Sequence, residues 1–77
     1  MVTYYAVLSG NILETKRFKE KIIGQMIISS GTIDVSYKLE TYEDFEMIKE
    51  HMWERADPAV KSLTNKSNVH ISFIQKL

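Results

Sequence analysis

Cysteine is absent from the chain, which removes disulfide stapling, thiol nucleophiles and Cys-ligated zinc and leaves any fold to stand on packing alone. One proline and three glycines are too few for a collagen-like rod or a Pro/Gly-rich disordered tract. Net charge is also missing: ten Lys and Arg offset ten Asp and Glu. The whole-chain field that steers a protein toward nucleic acid or anionic lipid is therefore lacking, and such a partner has to be met by a local patch. No apolar run approaches a membrane span, and Val2 to Leu8 lacks the basic flank of a secretory signal, so a cytoplasmic protein without membrane contact is expected. Asn65-Lys66-Ser67 matches a glycosylation sequon, but without secretion it reads as a polar turn.

What is present is ordinary globular material. Hydrophobic residues make up 44% and charged residues 26% of 77 positions, enough for a single domain over residues 1–77 that buries about 60–65% of its unfolded surface. No repeat or low-complexity tract divides it.

Val2 to Leu8, β-branched and aromatic and apolar on both pleat faces, reads as a central strand. Asn11 and Glu14 match a capping box opening a helix over residues 12–23, closed by Gly24, with Ile12, Phe18, Ile22 and Ile23 in one stripe. The alternative is a hairpin through Gly10-Asn11 that makes residues 12–21 a charged edge strand. Met26 to Ser29 and Thr32 to Leu39 read as two strands joined through Ser30-Gly31, the second with Ile33, Val35, Tyr37 and Leu39 on one face. Thr41 with Asp44 caps the next helix, whose apolar face is Tyr42, Phe45, Ile48, Met52 and Trp53. Asp57-Pro58 opens a short further turn through Leu63. Residues 64–68 read as loop and Val69 to Ile74 as a closing strand, with Val69, Ile71 and Phe73 inward.

The order β-α-β-β-α-β is the ferredoxin-like, split βαβ arrangement, an α+β fold with two helices on one face of a four-stranded antiparallel sheet. If residues 12–21 are a strand, a β-meander followed by helix and strand results. Fold order alone licenses no function.

Charge is even in sum but uneven in place. Seven of the ten acids lie between Glu40 and Asp57, and Glu43, Glu46, Glu50 and Glu54 form one row on the second helix, one carboxylate per turn about 5–6 Å apart. Like charges at that spacing cost a few tenths of a kcal/mol each, which marks the row, with Trp53 beside it, as a candidate surface for a basic partner. A solvated helix face accounts for the same row. Lys16, Arg17, Lys19 and Lys21 cluster in the earlier segment as a candidate phosphate contact, reduced to a net of plus two by Glu14 and Glu20. Tyr4 or Tyr5 with Tyr37 invites comparison with base-stacking sheet aromatics, but the basic-glycine-aromatic run of RNA-recognition motifs is missing.

Catalysis and cofactors have no motif behind them. His51 and His70 sit on different elements with no ligand spacing, so no metal site is expected. Strings of the GxSxG, HExxH, Walker or GxGxxG type do not occur. SGNILE lacks the arginine and glycine-rich loop that acylphosphatases use.

The reading is a non-catalytic interaction protein. It docks its acidic helix onto a basic surface of a larger protein and modulates or inhibits it, as small proteins encoded by phages and mobile elements do to host machinery. Two other classes remain open: a nucleic-acid-binding module using the basic segment or the sheet face, and an ACT-like small-molecule regulatory domain. Edge strands or the sheet face also permit a homodimer.

Overall fold

The computed structural model describes all residues, Met1–Leu77. Two long strands, β1 (Val2–Lys16) and β2 (Lys19–Val35), form one hairpin, followed by helix α1 (Tyr42–Arg55), a single helical turn α2 (Pro58–Lys61), a 3₁₀ turn (Lys66–Asn68) and strand β3 (Val69–Lys76). The sheet is three-stranded and antiparallel in the order β2-β1-β3. The ferredoxin-like expectation is thereby corrected, since there is no fourth strand and only one helix longer than four residues.

The correction begins at residues 12–23, which are extended. Their partners across the hairpin include Ile12 with Gly24, Leu13 with Ile22, Glu14 with Lys21 and Lys16 with Lys19. Three isoleucines and Thr15 suit a pleated surface better than a helix, where branched side chains lose χ1 freedom. The chain does not turn at Gly10-Asn11 either. It turns at Arg17 and Phe18, which have φ of 48° and 68°, the double positive φ of a type I′ turn.

Gly10 stays inside β1 for a packing reason. A Cβ there would lie 2.8 Å from Val69 Cγ1 and 3.0 Å from Ile28 Cγ1, so the bare Cα is what lets β3 and β2 close over the core. Nor does Ser30-Gly31 separate two strands. Gly31 has φ +145°, a region open to glycine, and it stays in β2 opposite Ala6. The Arg55 guanidinium fills the space above it, and its Nη1 donates to the Thr32 carbonyl at 2.8 Å. Because β2 ends at Val35, Tyr37 and Leu39 leave the strand face expected of them.

The core sits between one sheet face and α1. Tyr4, Ala6 and Leu8 alternate inward along β1 and meet Ile28, Val69, Leu39, Ile48, Met52 and Ala56. The Leu39 backbone N–H donates to the buried Tyr4 Oη at 3.0 Å, tying the β2–α1 connection to the central strand. In β3, a bulge at Ser72 shifts the pleat, so Ile71 and Ile74 pack inward while Phe73 faces out, contrary to expectation. The second-helix expectation holds at its start: Thr41 and Asp44 form the full capping box. Ile48 and Met52 are buried, but Tyr42 is 77% exposed and off the apolar face.

The accessible surface is 5371 Å², against about 4,850 Å² for a typical monomer of this mass. The surplus reflects a body extended over 47 × 21 × 17 Å, in which β1 and β2 run on as an arm beyond the core.

Two outcomes follow from the packing and the cap. Gly10→Ala should lose about 1–3 kcal/mol in urea unfolding through overpacking, whereas Gly24→Ala, whose Cβ would meet only Ile12 Cδ1 at 3.7 Å, should stay within about 0.5 kcal/mol. Asp44 is held below its ordinary 3.8 by the backbone N–H groups of Glu40 and then Thr41. A depressed folded pKa contributes stability that is present above 3.8 and is lost as pH falls through the folded value. Asp44→Asn should lower the melting temperature at neutral pH and flatten its fall in the acid range.

Candidate functional site

Three surfaces stand outside the core: the acidic side of α1, the tip of the hairpin arm and the sheet face that no helix covers.

On α1, Glu43, Glu46, Glu50 and Glu54 are all exposed, but they are not equally free. Glu50 pairs with Lys66. The Glu46 carboxylate engages the Tyr42 phenol, raising its pKa by hydrogen bonding and then by its charge. Glu43 and Glu54 alone lack a partner in the chain. Trp53 is half-buried against the core, and Lys61 Nζ lies 5.7 Å from its ring centroid, so the indole is already occupied on both sides. Met47 is exposed and accepts the Tyr37 hydroxyl at 3.6 Å.

The arm tip gathers what sequence reasoning had placed on a helix. Lys16, Arg17, Lys19 and Lys21 lie within six residues around the turn, all exposed. The acids among them are engaged: Glu14 holds Lys16 at 3.1 Å, and Glu20 accepts from Asn65 Nδ2 at 3.4 Å. Arg17, Lys19 and Lys21 are left without an ion-pair partner. A cleft of about 350 Å³ runs between Glu14, Lys16, Lys19, Glu20 and Lys21. Phe18 stands at the apex, fully exposed at 105%. An aromatic residue in the left-handed region costs of order 1–2 kcal/mol, and Phe18 touches nothing that offsets it.

The helix reading hid Phe18 in an apolar stripe. The signal that finds it is the near mirror symmetry of ILETK and KEKII about Arg17-Phe18, which sets Glu14 opposite Lys21 and Leu13 opposite Ile22, favourable cross-strand pairs.

On the uncovered sheet face, Tyr5 and Phe73 meet edge to face with centroids 6.2 Å apart. Tyr4 and Tyr37 do not share this face: Tyr4 is buried and Tyr37 lies beyond β2. His70 is on this face opposite Ser9, while His51 is exposed on α1. No three His, Asp or Glu side chains converge on one point. No helix is long and apolar enough to cross a membrane.

No protein-family model, curated protein or solved structure matches the chain.

Phe18→Gly should raise unfolding stability by about 0.5–1 kcal/mol by relieving the positive φ. Lys61→Ala should red-shift the emission of Trp53, the sole tryptophan, with a stability loss of about 0.5–1 kcal/mol.

Proposed function

We propose that the protein is a non-catalytic nucleic-acid-binding module whose contact is the tip of the β1–β2 arm. Lys16, Arg17, Lys19 and Lys21 track the phosphates while Phe18 stacks on an unpaired base. One observation carries the reading: a fully exposed phenylalanine in a strained turn stands among three cations, Arg17, Lys19 and Lys21, that have no ion-pair partner in the chain. Stacking of this kind is worth about 1–3 kcal/mol per base and tolerates any sequence. The cations supply the sequence-independent electrostatic part.

Docking of Glu43, Glu46, Glu50 and Glu54 onto a basic protein surface, with Trp53 as anchor, has narrower support. It rests on the free carboxylates of Glu43 and Glu54, because Glu50 and Glu46 are engaged and Trp53 lies under Lys61.

Fluorescence anisotropy with a labelled single-stranded oligonucleotide and its duplex, over a range of salt, tests the proposal. Four phosphate contacts give a slope of log K against log salt of about −2.8 on a single strand. Changing Arg17, Lys19 and Lys21 together to Gln should bring that slope toward zero by about 2 units. Phe18→Ala should weaken single-strand binding by about 1–3 kcal/mol with the slope unchanged. Absence of low-salt binding to either oligonucleotide, or binding indifferent to both variants, overturns it.

A further inference from the structure

We infer that the uncovered sheet face is where a second copy of this chain packs, making a two-fold dimer through sheet-on-sheet contact. This goes beyond the arm-tip reading and does not depend on it.

The face is set by strand register. Along β1, the residues between the buried Tyr4, Ala6 and Leu8 point away from α1, and each lies opposite an outward residue of β2 or β3. Its centre is apolar: Tyr5, Val7, Phe73 and Ile27, with Phe73 at 49%, Ile27 at 62% and Tyr5 at 37% exposure. Its surround is serine, threonine and glutamine. The one carboxylate, Asp34, accepts from Thr3 Oγ1 at 2.6 Å, and the one imidazole is His70. Lys, Arg and Glu are absent from it, in a chain that is 26% charged.

Charge selects the occupant. A two-fold interface sets a patch against itself, so any net charge on it is doubled into repulsion. The apolar centre carries no charge, and the one carboxylate, Asp34, lies at the end of the face opposite Thr3, so a two-fold axis running across the strands sets the two copies of Asp34 at opposite ends. A nucleic acid needs cations near the stacking rings, and this face has none. Tyr5 and Phe73 also turn edge to face onto each other, with an interplanar angle of 63°, instead of offering two parallel platforms. Face-to-face sheets sit about 10 Å apart with inner side chains interdigitated. The face spans about 20 Å along the strands and about 15 Å across them. That is about 300 Å² in projection per copy, about 600 Å² for the pair, below the roughly 1,200 Å² at which stable interfaces begin, so the dimer is a weak one that dissociates on dilution.

Sedimentation of the full chain without nucleic acid, from about 1 to 100 µM, decides the matter. The expected result is a shift from 9.0 kDa to twice that mass as concentration rises. Ile27→Lys and Phe73→Lys, at exposed positions of opposite outer strands, should each weaken the dimer about tenfold or more. Circular dichroism checks that both variants keep the fold, and Ile27→Lys does not alter either ring of the Tyr5–Phe73 pair. A mass of 9.0 kDa throughout overturns the inference. So does a dimer indifferent to both substitutions, which places the contact at the free edge of β2 or β3. Single-strand binding lost in the Phe73 variant of a protein that sediments only as monomer overturns it in favour of a base-stacking face. Because mass is read without oligonucleotide, failure here leaves the arm-tip reading standing, and failure of that reading leaves the dimer standing.

Discussion

The inward row of β1 is the constraint on which the rest depends. β1 is the central strand of the sheet and the one that pairs on both sides, and Tyr4, Ala6, Leu8 and the bare Cα of Gly10 give the helix a surface to pack on. Ala6 and Leu8 are completely buried. The contact is shaped by size as much as by hydrophobicity, since Gly10 admits Val69 and Ile28 to distances that a methyl group forbids. Tyr4 adds the sole buried side-chain hydrogen bond of the core, its Oη receiving the Leu39 N–H. One residue thereby joins the strand to the segment that launches α1. With a single helix available, the other face has no covering element in the chain, and its apolar centre follows from that topology.

Local signals were legible where the responsible chemistry is local. Thr41 and Asp44 announce the capping box because the bonds that make it span three residues, and Asp57-Pro58 does the same for α2. In the first third of the chain the central strand at Val2–Leu8 was legible and residues 12–21 were extended only in the alternative reading; the hairpin that joins them was hidden for the converse reason. Gly10 looks like a breaker until Val69, distant in sequence, is brought against it. Gly31 looks like a turn until Arg55 is placed over it, and Asn11 with Glu14 matches a cap that the hairpin never uses. A type I′ turn built on Arg-Phe lacks the Asn-Gly marker by which such turns are read, so a hairpin of 15 and 17 residues passed for a helix followed by short strands. The bulge at Ser72 reversed the facing of Phe73, since one extra residue moves every later side chain to the opposite face. Of the candidate surfaces, the acidic row was correctly placed on a helix, but its partners Lys66 and Tyr42 were not foreseen.

Zero net charge also misled at the scale that matters. Lys16 stands six residues past Gly10, the last core position of β1, or about 20 Å along the strand. At physiological ionic strength the screening length is about 8 Å, so charges much farther than that from the tip act on it weakly. A ligand approaching Phe18 meets the local balance of Lys16, Arg17, Lys19 and Lys21 against Glu14 and Glu20, which is plus two. Neutrality of the whole chain is thus compatible with a tip that attracts anions and a helix that repels them.

The two outlying surfaces differ in how their costs are met. The sheet face is apolar because strands half-buried on one side carry branched and aromatic residues with high sheet propensity, so some exposed hydrophobic area accompanies any three-stranded sheet with one helix. Phe18 has no such origin. A type I′ turn accepts Asn-Gly without strain, and a polar or glycine residue at the apex serves the hairpin better than an aromatic ring in the left-handed region with no neighbour to pack on. Within the monomer the arrangement is a net loss. The cost, about 1–2 kcal/mol, is met by the rest of the fold whether or not anything binds, and nothing in the hairpin itself accounts for the aromatic ring. In the proposed contact, a hairpin end that is already closed leaves less backbone ordering to be done on binding.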